Sequence, residues 1–188
     1  DAKMRVQVRE TISALQREAG ITTVFVTHDQ EEALALSDRI GLMKQGRLEQ
    51  VAAPEEIYRL PASAYVADFV GAANVLPVDL SGAAGPGAVA VTLAGVGPIK
   101  ARAPAALAAG TAQLIARPED IRLAADGAGL AGRIAARQYL GASTHYAVTL
   151  ENGQRISVAL HGDGHSAHAV GAAVRLTLDP DKTLVVAS

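Results

Sequence analysis

The chain has 188 residues, 49% of them apolar, and a formal net charge of −2: enough apolar content for one compact domain or two small ones, and no basic footprint for DNA or RNA. It contains no cysteine, which excludes disulfides, thiolate zinc sites and cysteine nucleophiles, and makes the cytoplasm the expected compartment. The first residue is Asp1, and no basic segment followed by an apolar core opens the chain, so it reads as part of something longer.

Met4, Val8, Ile12, Leu15 and Ala19 fall on one helical face, and Gly20 follows them as a C′ residue would. Residues 22–27, Thr-Thr-Val-Phe-Val-Thr, are a β-branched and aromatic run without alternation. That pattern predicts a strand buried on both faces of a parallel sheet, the second piece of a βαβ unit. Asp29 and Glu32 have capping-box spacing and predict a helix from near Gln30 to about Ser37. Residues 40–43 and 47–51 read as a hairpin around Gln45-Gly46, and Pro54 opens a short helix through Tyr58 that Pro61 stops.

Beyond Gly71 charge thins and alanine and glycine rise, with short strands such as residues 88–93 and 113–116, which predicts a domain boundary there. Residues 80–99 carry no charge, yet Gly82, Gly85, Pro86, Gly87, Gly95, Gly97 and Pro98 break them into turns and a short strand, not a membrane span. The second half also repeats itself. Ala90-Val91-Thr92-Leu93 recurs 57 residues later as Ala147-Val148-Thr149-Leu150, Ile99 maps onto Ile156, and with a small slip Gly110 aligns with Gly171 and Pro118 with Pro180. This order predicts a duplicated five-stranded barrel.

His28 carries the candidate chemistry. It directly follows the predicted strand and precedes a predicted helix, which places it at the carboxyl end of a parallel sheet, where α/β folds bind ligands. A neutral imidazole there can hydrogen-bond a phosphate oxygen or an attacking water. Asp29, Glu31 and Glu32 already occupy the positive end of the following helix, so a phosphate contact has to come from the side chain. The plainer reading is that His28 only ends a strand.

Residues 23–33, Thr-Val-Phe-Val-Thr-His-Asp-Gln-Glu-Glu-Ala, then Ser37-Asp38-Arg39-Ile40 and Gly46-Arg47, closely resemble the switch-histidine region of ATP-binding subunits of bacterial ABC importers. Pro54-Glu55-Glu56-Ile57-Tyr58, Pro61-Ala62-Ser63 and Val66-Ala67-Asp68-Phe69-Val70-Gly71 look like the segment joining the ATPase to an added regulatory domain. Arg117-Pro118-Glu119-Asp120-Ile121-Arg122-Leu123 and Tyr139-Leu140-Gly141 resemble recurrent pieces of that OB-like domain, called TOBE.

The resemblance implies an α+β chain: the C-terminal remnant of an α/β P-loop ATPase domain with linker helices at residues 1–71, then an all-β OB-like regulatory domain of two repeats at residues 72–188. It implies that His28 contacts the γ-phosphate of ATP and that Asp1 ends the D-loop touching the opposite subunit. It implies ATP and magnesium in the full-length subunit, a second copy and membrane permease subunits as partners, and a place on the inner face of the cell membrane. The branch resembled handles polyamines, ferric iron or phosphonates, polyamine slightly ahead. Nothing matches the Gly-x-x-x-x-Gly-Lys-Ser/Thr loop, the signature loop or the magnesium-binding acids, so the 188-residue chain alone is expected to hold no cofactor and not to hydrolyse ATP. The alternative is a stand-alone ligand-sensing or dimerising OB-like module.

Two further clusters stand out. The loop at residues 161–168 gathers His161, Asp163, His165 and His168, conceivable metal ligands, but its glycines favour a solvated connection. Arg117, Glu119, Asp120 and Arg122 form a mixed-charge patch that reads as a solvated turn or subunit contact before a ligand pocket, and Tyr139 and Tyr146 read as packing.

Overall fold

The structure, a computed structural model, describes residues 2–162 and 168–188. Helix α1 (Ala2–Ala19) carries the expected stripe, but Met4, Val8, Ile12 and Leu15 are all exposed along it. The strand predicted at residues 22–27 is not formed, and Val24 and Val26 are 87% and 91% exposed. The physical reason is that β propensity is realised only through pairing, and among the described residues no strand lies beside this run. The βαβ unit expected from α1 and this run is therefore absent among the described residues.

Asp29 caps α2 (Gln30–Leu36), accepting from the backbone N–H of Glu31 and Glu32. The other half of the predicted capping box is rerouted. The Asp29 N–H donates to Thr27 Oγ1, and that hydroxyl donates to Glu32 Oε2 at 2.7 Å. Strands β1 (Ile40–Lys44) and β2 (Arg47–Ala52) form the hairpin, with Gln45 at φ 49° and Gly46 at φ 77°, as a type I′ turn demands. Helices α3 (Pro54–Arg59) and α4 (Ala64–Phe69) follow. Ile40, Leu42, Ala52, Ile57, Val66 and Val70 form a small core of their own, against which Ala33 and Leu34 of α2 pack.

The rest of the chain is two five-stranded units. β3 (Asn74–Leu80), β4 (Gly87–Leu93), β5 (Gly97–Ala103) and β6 (Gly110–Ala116) lead through a single 3₁₀ turn (Pro118–Asp120) into β7 (Ile121–Ala124). β8 (Leu130–Tyr139), β9 (Ser143–Leu150), β10 (Arg155–His161), β11 (Ala173–Leu178) and β12 (Leu184–Ala187) repeat that order. Inward residues alternate along most strands, as in β4, β9 and β11.

The last strand of each copy crosses to the other unit. The first unit closes as β12-β5-β4-β3-β6, while the second runs β10-β9-β8-β11-β7. Equivalent turns meet between the units: the Cβ a residue at Gly95 would carry lies 3.0 Å from Asn152 Cβ, and Asn152 Nδ2 donates to the Ala94 carbonyl. One continuous apolar core, from Leu76 and Leu93 to Val148 and Leu176, runs through both units. Among the described residues no helix is long and apolar enough to cross a membrane.

Candidate functional site

His28 sits in the turn between the unpaired run and α2, and is exposed. Its placement follows from its neighbours. Thr27 and Asp29 are both committed to the α2 cap, and Arg9 of α1 reaches Asp29 at 3.4 Å and Glu31 at 3.3 Å, so the imidazole is held outward at the head of α2. Asp29 already takes the Glu31 and Glu32 N–H groups of α2, two of the donors an anion would use at that helix end. Asp1 lies outside the described residues.

An open cleft of about 820 Å³ lies where α3 and the chain after it meet the first β unit. Its lining includes a dense polar arrangement around Arg117. Arg117, read from the sequence as part of a solvated turn or subunit contact, is buried at 5% exposure, which corrects that expectation. Its Nη1 donates to the carbonyls of Ala67, Gly71 and Ala72 at 2.9, 2.9 and 3.1 Å, and its Nη2 to Tyr58 O at 2.9 Å. The guanidinium stacks on the Tyr58 ring, 4.0 Å from its centroid, and Tyr58 Oη donates to Glu119 Oε1 at 2.5 Å. A buried charge persists only when its donors are used, and here they are spent on backbone carbonyls.

Two carbonyls in this set, Tyr58 O and Ala67 O, belong to the last turns of α3 and α4. Helix ends leave carbonyls without partners and attract cations, so one side chain caps both helices. Gly71 is required by close approach: a Cβ there would lie 2.9 Å from Tyr58 Cε2. Burial lowers the Arg117 pKa from its ordinary value, while Tyr58, Glu119 and Asp120 oppose that effect. Burial first, and then the hydrogen bond to Glu119, pushes the Tyr58 hydroxyl up to about 12.

Sequence reasoning missed Tyr58 and Gly71 as members of this arrangement, since neither carries a charge that signals a partner 59 or 46 residues away. The remaining groups disperse. Asp120 pairs with Lys182 at 2.7 Å on the cleft wall, whereas Arg122 is exposed on β7. Tyr146 packs in the core at 3% exposure and Tyr139 is 56% exposed, so only the first is packing. The central residues of the histidine loop, 163–167, lie outside the described residues, while His161 ends β10 and His168 meets the Tyr146 ring in a T-shaped contact. Among the described residues no three His, Cys, Asp or Glu side chains are grouped to hold a metal ion.

Residues 114–186 match the TOBE domain family. The chain is 46% identical over 155 residues to an Fe(3+) ions import ATP-binding protein of Rhizobium etli, covering 81% of this chain and 43% of that protein. It is 38% identical over 189 residues to a spermidine/putrescine import ATP-binding protein of Pseudomonas aeruginosa, covering 99% of this chain and 51% of that one. The chain thus spans about half the length of the curated relatives it matches. Its fold is also similar to the cytoplasmic molybdate-binding protein ModG, with a TM-score of 0.52 at 17% identity over 61% of this chain and 96% of that one. At that identity the likeness concerns fold alone.

Proposed function

From the premise that the chain carries a TOBE domain and is homologous over most of its length to ATP-binding subunits of ABC importers, we propose that it is the C-terminal portion of such a subunit. In this reading residues 1–71 complete the ATPase domain and residues 72–188 form the regulatory domain. His28 faces the γ-phosphate, and Asp1 lies at the contact with the opposite subunit. The observation that carries the reading is the alignment itself, which runs over 99% of this chain at 38% identity and so includes both the His28 segment and the β units. The exposed position of His28 at the head of α2 suits a side chain that must reach a ligand supplied from elsewhere.

The full-length subunit uses ATP and magnesium, and the described residues do not fit these groups unaided. The head of α2 is filled by Asp29, and no cluster of metal-binding side chains is present among the described residues. In this reading hydrolysis needs groups outside these 188 residues, in which no Gly-x-x-x-x-Gly-Lys-Ser/Thr loop occurs. The subunit works as a homodimer against membrane permease subunits on the inner face of the cell membrane. Its cargo is a small solute of the polyamine, ferric iron or phosphonate kind, the first two being named for its relatives.

A chimera tests this. The 188 residues are grafted in place of the aligned portion of the Pseudomonas aeruginosa relative, whose match runs over 99% of this chain. Magnesium-dependent ATP hydrolysis that H28A reduces at least about a hundredfold supports the reading, since removing one polar transition-state contact costs on that order. A chimera that folds and binds ATP but hydrolyses it equally well with or without His28 sinks the assigned role. The shared core of the two β units favours, as a second reading, a stand-alone ligand-sensing or dimerising module. Robust hydrolysis by the chimera argues against that reading.

A further inference from the structure

We propose that Arg117 and Tyr58 form a positioning joint that makes the His28 segment and the first β unit move together, so that a displacement of the β units is delivered to the head of α2. The role assigned to that movement rests on the function proposed above; the joint itself does not.

The geometry is specific. Arg117 belongs to the connection between β6 and the 3₁₀ turn, so its backbone is fixed by the first β unit. Its guanidinium holds the ends of α3 and α4 and the linker after them, four carbonyls from three segments. Tyr58 returns the contact, its ring under the guanidinium and its hydroxyl on Glu119 of the 3₁₀ turn. Next to Tyr58, Ile57 is fully buried in the small core against which Tyr58 itself and Ala33 and Leu34 of α2 pack. α2 starts at the Asp29 cap, one residue after His28. Rigid helical turns and packed side chains therefore run without a gap from Arg117 to the head of α2. A guanidinium is needed because its fork addresses several carbonyls at once, whereas an ammonium is a point charge.

Amide hydrogen exchange on the 188-residue chain and its R117K variant tests the joint without ATP or transport, so its failure is distinguishable from failure of the chimera. Three amides report along the route: Leu60, which donates to Glu56 at the end of α3; Val70, which donates to Val66 at the end of α4; and Ala33, which donates to Asp29 in α2. R117K is expected to speed exchange about tenfold or more at all three while leaving Val148 and Val158 of the second unit unchanged. Acceleration at Leu60 and Val70 with none at Ala33 overturns the joint, because Arg117 would then only cap two helices. Acceleration at Val148 and Val158 to the same degree overturns it too, as global loosening. If R117K does not fold, Y58F removes only the tie to Glu119. A smaller acceleration at the same three amides supports the joint, and an unchanged Ala33 overturns it.

Discussion

Lys182 Nζ lies 2.7 Å from Asp120 Oδ1, and the two residues hold the same place in the two copies of the repeat, each two positions after a proline. Pro118-Glu119-Asp120 and Pro180-Asp181-Lys182 thus meet across the seam between the units with opposite charge, an arrangement that identical copies would turn into repulsion. The hydrogen bond to Asp120, and then its charge, raise the Lys182 pKa above its ordinary 10.5. A raised lysine pKa contributes stability that is fully present below the ordinary value and is lost as pH climbs through the folded one. The Lys182 side chain is 58% exposed, so K182Q should lower the Tm only slightly, and about 1 M salt or strongly alkaline pH should erase the difference. A Tm loss indifferent to both would show that the lysine acts by packing.

The strand exchange makes a sharper prediction about truncation. Leu184, Val185 and Val186 of β12 are buried, and β12 pairs with β6 along its length and with β5 at Leu184. Each such side chain is worth roughly 1.5–3 kcal/mol of burial. Deleting residues 183–188 should therefore expose the amides of β5 and β6, some 70 or more residues upstream, before those of β9 and β10. Hydrogen exchange resolved by strand checks it. Earlier loss of protection in β9 and β10 would mean that β12 serves the unit it follows in sequence.

That contrast also marks where the sequence stops being informative. Asp29, Gln45-Gly46 and Pro54 act through neighbours a few residues away, so the cap, the tight turn and the start of α3 are legible, and the 57-residue repeat reappears as β4 over β9 and β5 over β10. Which unit β7 and β12 join is a matter of long-range pairing, on which local pattern is silent. Residues 22–27 mislead for the same reason, since their β-branched side chains state a preference but supply no partner strand. His28 is legible as a candidate from its neighbours. The burial of Arg117 is not, because its four acceptors come from residues 45 to 59 positions earlier and a lone arginine beside a proline ordinarily stays in water.

Tyr58 offers a spectroscopic handle on that arrangement. With its pKa moved from 10.0 to about 12, it favours the native state below the ordinary tyrosine value and withdraws that stability as pH rises through the folded one. Ultraviolet titration of the phenols should show a component with a midpoint of about 12 that disappears in Y58F. E119Q should lower that midpoint without restoring it to the ordinary value, because burial is the larger cause and the hydrogen bond the second. A midpoint in E119Q indistinguishable from free tyrosine would make the carboxylate the dominant cause.

Asn74 joins the two units through one buried amide. Its Oδ1 accepts from the Ser157 N–H at 2.7 Å, and its Nδ2 donates to Ser157 O at 2.8 Å and Ala116 O at 3.1 Å. The side chain thereby serves the edge of β10 as a neighbouring strand would, at 6% exposure. N74A leaves the Ser157 donor and two carbonyls without this partner, at a cost of roughly 1–3 kcal/mol for each of them that water does not reach. N74D keeps the shape and can still accept from Ser157, but its second oxygen faces two carbonyl oxygens as an unpaired buried charge. At neutral pH it should therefore be less stable than N74A. Protonation turns that oxygen back into a donor, so the carboxyl pKa in the folded state must rise, and N74D should regain stability as pH falls through that raised value. Denaturant unfolding of both variants between neutral and acidic pH decides the matter. If N74D tracks N74A at every pH, the amide's two faces are not what holds β10 to the first unit.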